Sequence, residues 1–155
     1  MVRPIRLVHP VDPGGPAESG PPGCGSPFQI VTDALQYFGH HFRDPISIND
    51  LAGCLGTRED CLQFSFDRIR GMTPAQALLD HRLNRLFAAL TAQPRQGLRQ
   101  AIADCGLART AGVLVLFEQT FGIEMSLFLL TCRRAADDRL FRRSHPEAGA
   151  LIEPS

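Results

Sequence analysis

The chain has 155 residues, 44% of them apolar, and sixteen basic side chains balance sixteen acidic ones to a formal net charge of zero. That length and apolar fraction suit one compact domain, and no apolar run reaches the ~18 residues of a membrane span. Every basic residue is Arg and none is Lys, which excludes a Gly-rich phosphate loop closed by Lys.

From Met1 to Pro27 the sequence is broken by Pro and Gly, most densely in VDPGGPAESGPPGCGSP. Such a segment buries too little apolar surface to offset its ordering entropy, so residues 1–27 are predicted to be a disordered arm. The arm also lacks the continuous apolar stretch of a secretory signal, and a cytoplasmic location is expected. Phe28, Val31, Leu35, Phe38 and Phe42 then recur at helical spacing, with Thr32 and Asp33 on the wet side, until Asp44-Pro45.

Ser47, three residues before Asp50, is a predicted cap for a short helix through Leu51, Ala52 and Leu55 that stops at Gly56. Thr57 and Asp60 form a second predicted cap, for a helix from Cys61 to Ile69 stopped by Gly71. Thr73-Pro74 opens a long helix with Pro at the tolerated first position. Leu78, Leu79, Leu83, Leu86, Phe87 and Leu90 give it a broad apolar face up to Gln93-Pro94, making it the rigid connector between two halves. The second half repeats the plan from Leu98 to Cys105 and from Thr110 to Phe121. A last helix runs from Ser126 to Arg134, and AADDRLFRR can extend it before His145-Pro146.

The chemistry-bearing residues are sparse. Five Cys with no CxxC pair read as small buried thiols in a reduced compartment. His40 and His41 are adjacent and point in different directions on a helix, so they read as a polar helix end and no metal site is expected. No nucleophile–base pair and no cofactor motif is present, so the chain is not expected to be an enzyme.

The arrangement of the halves is more informative. Ile46 to Pro74 and Leu98 to Ser126 share one layout: a short helix into Gly56 or Gly106, then a longer helix closing on Phe66…Gly71 or Phe117…Gly122. Two short helices joined by a Gly-containing turn outline a helix-turn-helix, here in two copies. The expected class is therefore all-α, with two helix-turn-helix subdomains joined by a long linker helix. Its expected divisions are the arm (1–27), the double helix-turn-helix domain (28–134) and a helical extension and tail (135–155).

From Ile46 to Arg134, nearly ninety residues, the chain resembles the DNA-binding domain of AraC/XylS-type transcription regulators. The resemblance rests on Leu51-Ala52, Leu62, Phe66, Gly71, Thr73-Pro74, Leu78 and Arg82-Leu83 in the first half. In the second it rests on Leu90, Leu98, Gly106, Phe117, Phe121 and Gly122, and all of them keep one register without a gap. It implies seven helices, a recognition helix from each unit in the major groove, Arg82 as a structural residue and His81 as its solvent-facing neighbour.

Departures concentrate where that family touches DNA. Arg58, Phe64 and Asp67 replace its usual Ser, Arg and Lys in the first unit, and Leu107, Val115, Glu118 and Met125 replace an aromatic, Arg, Lys and Pro in the second. Ala101-Ile102 inverts its usual Ile-Ala, so the packing there must shift. Ala111 to Phe117 offers no donor for base edges, and the excess of ten Arg over eight acids from Ile46 to Arg134 is only +2.

The resulting expectation is a DNA-binding regulator of AraC type without an effector-sensing domain. Its partner is double-stranded DNA, read mainly by the first unit through the major groove. The expected contacts are Arg58, Gln63, Arg68, Arg70, Arg109 and Thr110. The alternative is a degenerate helix-turn-helix that serves as a protein-interaction module for RNA polymerase or another regulator. Exposed apolar residues from Val113 to Leu116 would favour that alternative.

Overall fold

The computed structural model describes residues 21, 23–107 and 110–149, apart from the side chains of 110, 111, 148 and 149. The expected arm as far as Gly20 and the tail beyond Gly149 lie outside these residues. Seven helices follow one another: α1 (Pro27–His41), α2 (Ile48–Cys54), α3 (Glu59–Arg70), α4 (Pro74–Ala92), α5 (Leu98–Asp104), α6 (Thr110–Phe121) and α7 (Met125–Ser144). A short 3₁₀ turn, Pro146–Gly149, ends the described chain. No strand occurs among the described residues, and the class is all-α.

Local chemistry explains most boundaries. Ser47 Oγ accepts from the Asp50 N–H at 3.1 Å and starts α2. At α4 the Thr73 hydroxyl accepts from the Gln76 N–H at 3.1 Å, while Gln76 Oε1 accepts from the Thr73 N–H at 3.0 Å. This reciprocal box, followed by Pro74, fixes where the linker begins. Helix α3 departs from expectation. It starts at Glu59 with Arg58 in the cap position and no side-chain cap bond, while the Thr57 N–H closes the preceding turn on the Ala52 carbonyl. Asp60 still contributes, accepting from the Cys61 N–H at 2.9 Å. The segment after Arg134 simply continues α7 to Ser144.

Two cores sit at opposite ends of α4. Val31, Ala34, Phe38, Leu51, Leu62 and Phe66 close the first around Ala77 and Leu78 of the linker. Ala101, Ile102, Leu107, Val113, Phe117, Met125 and Phe128 close the second around Leu83, Leu86 and Leu90. Both members of the inverted Ala101-Ile102 pair are buried there. Within the second core Phe117 and Phe128 both meet Phe87, at ring-centroid distances of 6.2 and 4.7 Å. Phe28, assigned to the core face from its spacing, is 68% exposed; Ile30 and Val31 take the burial in that turn of α1.

Two expectations are corrected. Cys24 and Cys61 form a disulfide with Cα atoms 5.5 Å apart, tying the segment before α1 to the first turn of α3. The expectation of buried thiols holds for Cys105, whose thiol burial pushes up, whereas Cys54 is exposed and Cys132 half-buried. His81 is not solvent-facing. Its ring lies 5.7 Å from that of Phe42, and its buried Nε2 has no hydrogen-bond partner.

Burial, with Arg85 and Arg82 nearby, holds the His81 pKa below its ordinary 6.5. The unfolded chain therefore takes up the proton first. The His81 contribution to stability is complete above about pH 6.5 and is lost as pH falls through that value towards the folded pKa. Urea midpoints at pH 7.5 and 5.5 are expected to differ more for the parent than for His81→Gln; an equal difference in both would refute this origin.

Candidate nucleic-acid interface

The two helix-turn-helix units repeat at the level of individual hydrogen bonds. In the first turn the Gly56 N–H donates to Gly53 O at 3.1 Å and the Thr57 N–H to Ala52 O at 3.0 Å. In the second the Gly106 N–H donates to Ala103 O at 3.0 Å and the Leu107 N–H to Ile102 O at 3.1 Å. Both glycines are left-handed, at φ 65° and 72°, and both turns close the preceding helix with the same pair of bonds. Each turn hands the chain to a twelve-residue helix, α3 or α6.

Arg82 locks the halves together from α4. Its Nε donates to Phe42 O at 2.8 Å and its Nη2 to Asp44 O at 2.7 Å, so the end of α1 is fixed to the linker. Gly106 sits against the same carbonyl, with no room for a Cβ. This bears out the structural role expected of Arg82.

Helix α3 buries Cys61, Leu62, Ser65 and Phe66 and turns Glu59, Gln63, Asp67 and Arg70 outward. Of the expected contact residues, Gln63 and Arg70 share this face. Gln63 Nε2 is 3.3 Å from Glu59 Oε1, a long hydrogen bond that an incoming acceptor can displace. Arg58 stands at the helix start with its guanidinium paired to Asp60, at 3.0 Å (Nε–Oδ1) and 2.7 Å (Nη2–Oδ2). That pairing holds the Asp60 carboxyl below the usual carboxylate range. Arg68 is exposed too, but five positions from Gln63 is about 140° around the helix, so it belongs to another side.

Sequence reasoning missed that Glu59 and Asp60 crowd this face beside Asp67. The spacing 59, 63, 67 was the available signal, since residues four apart share a face. In the second unit Arg109 and the Thr110 side chain lie outside the described residues. On α6, Val113 and Phe117 are buried, Leu114 and Leu116 half-buried, and Val115 is 55% exposed, with Glu118 and Gln119 also outward.

Among the described residues no cluster of His, Cys, Asp or Glu is arranged to hold a metal ion, and no single helix is long and apolar enough to cross a membrane. His41 stacks on Tyr37 at 4.4 Å and lies 3.5 Å from Asp44.

Comparison of the whole architecture with solved structures finds strong likenesses. A transcriptional regulator from Chromobacterium violaceum, described as containing an AraC-type DNA-binding domain, superposes with a TM-score of 0.63 at 22% identity, over 68% of this chain and 93% of that one. The fold is that of an AraC-type DNA-binding domain. A probable AraC family transcriptional regulator from Rhodopseudomonas palustris gives 0.62 at 21% identity, over 67% of this chain and 97% of its own. A protein of unknown function from Listeria innocua gives 0.59 at 19% identity, over 66% and 96%. No family model matches the sequence, and no curated protein matches it. The fold is thus shared at 19–22% sequence identity.

Proposed function

We propose that this protein is a DNA-binding transcription regulator that reads a major groove with α3 of its first helix-turn-helix. The observation that carries the reading is the duplicated turn geometry on either side of a continuous α4. Two such units on one rod, 19 residues and about 28 Å long, suit successive groove segments on one face of a duplex. The Chromobacterium and Rhodopseudomonas proteins, both described as transcriptional regulators, support this role.

In this reading Gln63 exchanges its bond to Glu59 for a bidentate contact with adenine, and Arg70 neutralises a phosphate from the same face. Arg58 and Arg68 approach the backbone from the two sides of α3, with Arg109 and Thr110 serving the start of α6. Glu59, Asp60 and Asp67 oppose phosphate, so affinity is expected to be modest and to fall as salt rises.

Fluorescence anisotropy at low salt against genomic fragments tests the proposal. Binding tighter than the ~0.1 mM non-specific range supports it, and none above that range sinks it. Gln63→Ala is expected to relax preference at one base pair by about 1–3 kcal/mol. Arg70→Ala is expected to weaken all sequences alike and to reduce the salt slope by about 0.9. Equal effects of the two substitutions on specific and random DNA would remove Gln63 from the reading role.

The three carboxylates favour a second reading, in which the domain contacts RNA polymerase or another regulator and binds DNA little. Its other support is thin. Of Val113, Leu114, Val115 and Leu116 only Val115 is more than half exposed, too little for a docking patch on α6.

A further inference from the structure

Helix α7 has two faces. Met125, Phe128 and Leu129 are buried in the second core, and Cys132 and Ala136 are half-buried below them. Every residue from Asp137 to Ser144 is exposed, with Arg139, Leu140 and Arg143 bordering the segment from Thr91 to Gln96 on one flank.

The exposed side carries an apolar stripe. Leu127, Leu130 and Phe141 are 54%, 54% and 56% exposed, and with Arg134 they fall within an arc of about 60°, diametrically opposite the buried side. Leu127, Leu130, Arg134, Asp137, Phe141 and Ser144 alternate at three- and four-residue spacing, the seam of a two-helix coil.

The geometry points to a second copy of this chain as the occupant, with the two α7 helices antiparallel. The polar residues of the seam select the orientation. In a parallel pair Arg134 would face the partner's Arg134, and Asp137 the partner's Asp137. In the antiparallel register that sets Leu130 on the partner's Phe141, Arg134 meets the partner's Asp137, and two-fold symmetry repeats both contacts. The flanks are compatible. Arg133 lies beside the partner's Leu140, which is otherwise 55% exposed, and Thr131 lies beside the partner's Asp138.

Asp137 is prepared for this contact. Its Oδ1 accepts from Arg95 Nη2 at 2.5 Å, leaving Oδ2 for a second guanidinium. The apolar residues of the stripe point away from the second core, and the Pro94-Arg95 segment, bonded to Arg133 and Asp137, flanks the helix pair on one side. A seam of about five turns covers a modest area, which places the association among weak, concentration-dependent dimers.

Sedimentation velocity on the full chain tests the pairing, with Cys54→Ser as background so that this exposed thiol cannot cross-link copies. The parent is expected to pass from monomer to dimer as concentration rises into the range of about 100 µM. Phe141→Glu is expected to raise the dissociation constant at least tenfold. Arg134→Asp and Asp137→Arg each place like charges together and are expected to be monomeric alone. Mixed together they restore both ion pairs and are expected to form a heterodimer, while circular dichroism shows unchanged helix content for each. A parent that stays monomeric, a Phe141→Glu variant that dimerises like it, or a mixture that stays monomeric overturns the proposal.

Discussion

Gly106→Ala is expected to lose about 3 kcal/mol of stability, measured as a fall in the urea midpoint at unchanged m. Two costs combine. The residue holds φ at 72°, which disfavours any side chain by about 1–2 kcal/mol. A Cβ built there would also lie 2.4 Å from the Phe42 carbonyl oxygen and 3.1 Å from Arg82 Nε. The carbonyl is backbone held by Arg82, so it cannot yield cheaply, and overpacking of this kind adds about 1–3 kcal/mol. Gly56 provides the control: its φ is 65° and nothing lies within 4 Å of the corresponding Cβ. Gly56→Ala is therefore expected to cost only the conformational part. Equal losses in the two variants would mean that the contact between the end of α1 and the second turn carries no energy.

Breaking the Cys24–Cys61 disulfide is expected to destabilise the protein by about 2–4 kcal/mol, since it closes a loop with a sequence separation of 37. The loss should appear on adding reductant to the parent and be absent when reductant is added to Cys24→Ser. Alkylation of unfolded, unreduced protein should label three cysteines, and after reduction all five. Five labels without reduction would show that the bond does not form in solution. A stability loss of equal size in the reduced Cys24→Ser protein would place it elsewhere. Cys61 lies in the first turn of α3, so the reduced protein should also bind DNA less well if α3 is the reading helix.

Much of the architecture was legible because local and global signals agree. Ser47 and Thr73-Pro74 start helices by satisfying free N–H groups within three residues, so no distant partner is needed to recognise them. Gly56 and Gly106 mark turns because their left-handed backbone suits glycine. The start of α3 was misplaced because no side chain caps it: Arg58 holds the cap position, and Thr57 belongs to the turn before it. The site was less legible than the fold. Spacing put Gln63 and Arg70 outward, but not the pairing of Arg58 with Asp60, which depends on rotamers at the helix start.

By itself the sequence determined the helical class, the duplicated unit and the linker, because these follow from the periodicity of apolar side chains and from backbone chemistry within a few residues. Only the tertiary structure decided which groups distant in sequence meet. Cys24 reaches Cys61, His81 turns inward against Phe42, and Arg82 closes on the carbonyls of Phe42 and Asp44. Spacing within one helix says which side a residue occupies. What stands opposite is set by how α1, α4 and the two cores pack.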